Sequence, residues 1–191
     1  ALQVTLNNPL ADPGIIGISS GASLMAALFL VFVSSLGLIP TEALYSHSIY
    51  LLPILCFLGA CLSGLLIYVL AKKIGRAVAS FVLAGIAIST AFSAIVGWIY
   101  IVAPPHALQS LTFWLMGSLN YTNYASLGVA IVFMAFGLFS LAKNASKLNM
   151  MYLGEQSANA AGVNAKSLQT RVFISVALLV GVSVSIAGSI A

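Results

Sequence analysis

Several residues in this 191-residue chain have types and spacings that could do chemistry. Gly17-Ile18-Ser19-Ser20-Gly21 matches G-x-S-x-G, the elbow that presents a nucleophilic serine on a strand–turn–helix. That chemistry needs a histidine base and an acid within reach. The histidines are His47 and His106, and Glu42 is the acid nearest His47 in sequence. Cys56 and Cys61 are thiols for a metal or a disulfide. Gly85, Ser89, Ser93 and Gly97 recur at every fourth residue, a stripe that suits a helix seam or a hydroxyl-lined passage. Residues 143–171 form the longest polar stretch in the chain. Which of these works depends on the elements that carry them.

Composition settles what those elements are. The chain is 61% hydrophobic and 5% charged, with seven Lys/Arg and three Asp/Glu. A soluble domain carries about 25% charged residues. A water-soluble enzyme, a disordered chain and a nucleic-acid module are therefore excluded, and seven scattered cations make no patch for nucleic acid. The fold class is all-α, a polytopic helical bundle in a lipid bilayer. A spanning helix needs about 20 apolar residues. Uncharged stretches predict spans near 15–39, 49–71, 77–102, 124–142 and 172–191. A re-entry segment at 107–119 follows Pro104-Pro105-His106. Parity then puts Lys72, Lys73, Arg76, Lys143, Lys147, Lys166 and Arg171 on one side, which the positive-inside rule makes cytoplasmic. Residues 40–48 and 103–123 face outward, with Tyr45, Tyr50, Trp98, Tyr100, Trp114, Tyr121 and Tyr124 as a headgroup belt.

This frame disposes of most of the chemistry. Gly17–Gly21 opens a span at its cytoplasmic end, whereas His47, His106 and Glu42 lie outside, about 30 Å away. No triad closes, so a serine hydrolase, intramembrane or not, is rejected. Cys56 and Cys61 point roughly 140° apart on one helix and read as small apolar fillers. The histidines read as solvated outer-loop residues. No span holds an ionisable group, and no broken helix is expected at midplane, which counts against an ion-coupled carrier. Small-residue spacing is common in membrane helices, so packing is the first reading of the Gly85–Gly97 stripe and a passage wall the second. Within 143–171, Leu153–Val163 predicts a short helix with Glu155 in its first turn and Gly162 as its terminating glycine. Such a helix suits a partner's groove, and a plain surface hairpin stands beside that reading.

The chain resembles one family. Asn8-Pro9-Leu10-Ala11-Asp12-Pro13 followed by Gly17-Ile18-Ser19-Ser20-Gly21-Ala22 is similar to the signature of FecCD-type permeases, subunits of ABC importers for iron–siderophore complexes, haem and cobalamin. Leu83-Ala84-Gly85-Ile86-Ala87, Trp114-Leu115-Met116-Gly117-Ser118-Leu119, Leu148-Asn149, Leu153-Gly154-Glu155, Ala158, Gly162-Val163 and Ala187-Gly188-Ser189-Ile190 follow in the family's order. The resemblance covers the whole chain. It implies a single permease domain, 1–191, incomplete at both ends, matching helices three to seven of a ten-helix subunit. It implies a cytoplasmic coupling loop at 143–171, where Leu153, Gly154, Glu155, Ala158, Gly162 and Val163 seat in an ATPase. It also raises the weight of Gly85, Ser89, Ser93 and Gly97 as pathway lining. Ser157, Asn159 and Ala161 stand where the family often has larger or basic residues.

The function so implied is passage of an iron–siderophore-type metal chelate across the bacterial inner membrane by alternating access. The implied partners are ATP-binding cassette ATPase subunits, an extracytoplasmic substrate-binding protein and a second permease subunit. The chain itself is no enzyme, needs no cofactor and has no metal site of its own. The competing reading is an ion-coupled secondary transporter of a small solute.

Overall fold

The computed structural model describes residues 1–6, 8, 11, 12, 14, 16–33, 41–75, 78–117 and 124–188, with backbone alone at 33, 41–50, 78 and 125. Its elements are α1 Leu2–Thr5, α2 Ile18–Leu28, α3 Thr41–Ile74, α4 Val78–Val102, α5 Pro105–Met116, α6 Tyr124–Lys143, α7 Ala145–Tyr152, α8 Glu155–Ala160 and α9 Ala165–Ala187. A π-helical stretch, Phe29–Val33, prolongs α2. Among the described residues there is no strand. Arg76, residues 118–123 and residues 189–191 lie outside the described residues, as do the side chains of Glu42, Tyr45, His47 and Tyr50.

Among the described residues, four helical segments are long and apolar enough to cross a membrane: Leu51–Ile74, Ala79–Val102, Ser126–Lys143 and Ala165–Ala187. They correspond to the second to fifth expected spans. Of the expected first span, 15–39, residues 15 and 34–39 lie outside the described residues, and its described part holds the apolar helix Ile18–Phe32. The chain reaches α2 by a non-helical stretch, and Ile16, Gly17 and Ile18 are buried. Gly17 is the N-cap of α2 with φ 84°, a left-handed conformation that glycine adopts without penalty.

The expected re-entry segment exists as α5, which starts two residues early because Pro105 occupies its first turn. Leu111 and Ala107 bury against Ala27, Val31 and Ile99. This fold-back corrects the aromatic belt. Trp98 and Tyr124 are exposed, but Trp114 packs against the main core. The Trp114 carbonyl touches Gly188 at the end of α9.

The expected cytoplasmic loop, 143–171, is shorter at its far end. Asn164 caps α9 by accepting from the Ser167 amide at 3.0 Å, so Lys166 and Arg171 already belong to the spanning helix. Their exposed heads reach water while their stems follow the helix, and charge alone therefore misplaces the boundary. The core gathers Ile16, Ile18 and Ala22 with Cys56, Ala60 and Ile67 of α3, Phe81 and Ala84 of α4, and Leu168, Val172 and Phe173 of α9.

Candidate functional site

The elbow-like motif turns out to be a junction of three helices. A side-chain carbon on Gly17 would strike the Ser89 hydroxyl and come within 2.8 Å of the Gly85 carbonyl. One on Gly85 would strike the Ile16 carbonyl. Gly21 and Gly59 face each other so closely that a methyl on either would overlap the other's carbonyl. Ser63 of α3 donates its hydroxyl to the Gly17 carbonyl at 2.7 Å, and Ser20 donates to the same oxygen at 2.7 Å. The two hydroxyls thus converge on the N-cap carbonyl of α2 and tie α3 to its first turn. Ser63 lies roughly 16 Å from the Ile74 end of α3, so α2 begins well inside the bundle. Ser19 and Ser20 are helix-entry residues, with no base beside them among the described residues.

The Gly85–Gly97 stripe divides. Its lower half, Gly85 and Ser89, is the seam against Ile16 and Gly17, with the Ser89 hydroxyl donating to Gly85 at 2.8 Å. Its upper half is open. Ser93 is exposed, and a methyl on Gly97 would meet nothing within 4 Å. Thr90, Ala91 and Ala94 are exposed beside them. The middle of the open α4 face is thus small and hydroxyl-bearing. Leu83 at one end and Trp98 and Ile101 at the other bound it with bulk.

The polar segment is built as the motif predicts. Gly154, with φ 105°, turns the chain into α8, and Glu155 occupies the first turn, where a carboxylate favours the helix dipole. Gly162 takes φ 81° just past the helix. The Val163 amide donates to Ala158 at 2.9 Å and the Gly162 amide to Asn159 at 3.0 Å, the paired bonds of a Schellman end. Ala158 and Val163 are buried and fasten the helix to the body. Leu153, Glu155, Gln156, Ser157 and Gly162 are exposed. The six residues grouped at the sequence level therefore separate into two anchors and a presented surface. Tyr152 and Leu153, 78% and 74% exposed, add apolar area to that surface.

Cys56 is buried and Cys61 exposed, on different faces. His106 is exposed in the first turn of α5, not in a loop. Among the described residues no three His, Cys, Asp or Glu side chains gather in metal-binding distance. An apolar recess of about 350 Å³ opens between α3, α6 and α9, lined by Pro53, Phe57, Phe133 and Val182 among others. Its polar walls are the hydroxyls of Ser126 and Ser185, too few to recognise a polar chelate. What sequence reasoning missed is the pairing itself. Ser63, Gly59 and Gly21 are small residues of the sequence, but nothing in their spacing says which helix meets which.

The whole chain, residues 1–191, matches the FecCD transport family. It is 34% identical over 99% of its length to the hemin transport system permease protein HmuU of Yersinia pestis, covering 54% of that protein. It is 32% identical over 99% of its length to the vitamin B12 import system permease protein BtuC of Vibrio cholerae, again covering 54%. The iron(3+)-hydroxamate import system permease protein FhuG of Bacillus subtilis is 30% identical over 100% of the chain, which covers 55% of it. The chain thus spans about half the length of these curated relatives. A solved structure described as an inward-facing metal-chelate type ABC transporter superposes with a TM-score of 0.84 at 29% identity, covering all of this chain and 57% of that one. Spanning helices, the glycine-mediated α2–α4 junction and a family match from first residue to last agree: this chain is a multi-pass membrane protein that belongs to the FecCD transport family.

Proposed function

We propose that this chain is part of the permease subunit of an ATP-driven importer in the bacterial cytoplasmic membrane, and that its cargo is a metal chelate of the iron–siderophore, haem or cobalamin kind. The observation that carries the reading is α8. It is a capped helix, anchored by Ala158 and Val163, that presents Tyr152, Leu153, Glu155 and Gln156 beside the lysine-rich helix ends. Exposed Tyr152 and Leu153 on a water-facing surface suit the groove of a protein partner. That partner is an ABC ATPase, which does the hydrolysis. An extracytoplasmic binding protein delivers the chelate, and a second permease subunit completes the passage.

In this mechanism ATP turnover displaces α8, and the displacement shifts the paired subunits between outward- and inward-facing states. Thr90, Ser93 and Gly97 on the open α4 face form part of the passage wall. Small, uncharged hydroxyl positions let a large polar chelate slide without being trapped. Gly85 and Ser89 serve instead as the bearing between α4 and the start of α2. No bond is made or broken in the chelate by this chain.

The test is removal of residues 153–163 from the complete permease. Chelate uptake into vesicles is expected to vanish and the ATPase to lose its coupling to substrate, while membrane insertion stays normal. Undiminished uptake by that deletion sinks the reading.

A further inference from the structure

At the lysine-rich end of the bundle, Lys72 of α3 and Lys166 of α9 line one shallow recess together with Tyr68, Phe81, Gln169 and Thr170. Both lysines are exposed, and neither has a carboxylate within ion-pair distance among the described residues. Asp12 is turned to the Gly14 amide at 2.7 Å, and Glu155 opens α8; neither lines the recess. The fold therefore sets two ammonium groups on one recess, with no counter-charge among the described residues that line it.

The floor differs from the rim. Phe81 stacks against Phe173 with ring centroids 5.5 Å apart, and Tyr68 is half-buried. The Gln169 amide donates to the Thr5 carbonyl at 3.3 Å, and the Thr170 hydroxyl to Lys166 at 3.1 Å, which ties α1 and the first turns of α9 beside the recess. The Tyr68 hydroxyl has no such bond among the described residues. Because α3 and α9 are both spanning helices, this level is where they leave the hydrocarbon.

We propose that the recess binds the phosphate headgroup of an anionic phospholipid. Lys72, Lys166 and the Tyr68 hydroxyl face the phosphate, and the glycerol and first methylenes lie against Phe81. A free anion has use for the lysines only. A phospholipid uses rim and floor together, and it is the anion that concentrates at the cytoplasmic membrane surface, where juxtamembrane lysines are drawn to it. Bound there, it neutralises the Lys72–Lys166 repulsion and holds the ends of α3 and α9 together.

The experiment uses the complete permease reconstituted in mixed phosphatidylcholine and phosphatidylglycerol bilayers. Phosphatidylglycerol retained on extraction is counted by native mass spectrometry. The Lys72→Gln/Lys166→Gln variant is expected to retain about tenfold less phosphatidylglycerol. Lys72→Arg/Lys166→Arg keeps the charge and retains it, and Lys143→Gln/Lys147→Gln, at the end of α6 and in α7, behaves as the unmodified protein. Equal retention by the Gln pair overturns the proposal. So does displacement of the lipid by millimolar inorganic phosphate, which marks a free-phosphate site. Unchanged lipid with lost ATPase association also overturns it, in favour of a protein-docking surface. The readout is lipid, not uptake, so its failure is distinct from failure of the transport reading.

Discussion

At the residue scale, the informative positions are glycines whose missing side chain admits another backbone. Gly85 accepts the Ile16 carbonyl, while Gly97 on the same stripe faces open space. Sequence spacing makes the two equivalent; contact separates them. Gly85→Ala is expected to destabilise the permease by about 1–3 kcal/mol through overpacking. Gly97→Ala is expected to be neutral or to gain up to about 1 kcal/mol from helix propensity. Unfolding midpoints in detergent micelles measure both, and equal midpoints would contradict the junction. The same contrast shows why G-x-S-x-G misleads here. Its glycines permit close approach, and Ser20 together with Ser63 satisfies the Gly17 carbonyl.

At the scale of elements, α8 was legible because every signal for it is local. Glu155 at its start and Gly162 beyond its end act through neighbours in sequence, so reading and structure agree. Proline at 162 cannot adopt φ 81° and deletes the amide that bonds Asn159. Gly162→Pro in the complete permease is therefore expected to lower chelate uptake several-fold and to weaken co-purification of the ATPase. Full uptake would show that the end of α8 is dispensable. The start of α9 was misjudged for the converse reason. Lys166 and Arg171 looked like loop residues, yet the Asn164 cap places both inside the helix.

At the scale of the whole molecule, the question is which exposed apolar faces meet lipid and which meet the passage. α6 shows Val132, Phe136 and Phe139 outward, bulky residues suited to acyl chains. α4 shows Thr90, Ser93 and Gly97. With Cys61 replaced by Ala, cysteines placed at Ser93 and Gly97 are expected to react with a water-soluble maleimide in membranes. Cysteines at Val132 and Phe136 are expected to stay unlabelled. Labelling of the α6 pair alone would move the passage to the other face.

The sequence by itself determined the solvent, the helical class and the family. Those follow from composition and from motifs that are contiguous in the chain. Only the tertiary structure decided that Gly17 meets Gly85 and Ser63, that the stripe on α4 is half bearing and half open, and that Lys72 and Lys166 share a recess. The physical reason is that lipid gives no hydrophobic drive to choose between helix faces. The choice is made by backbone-to-backbone fit between residues far apart in the chain, and periodicity within one helix carries no record of its partner.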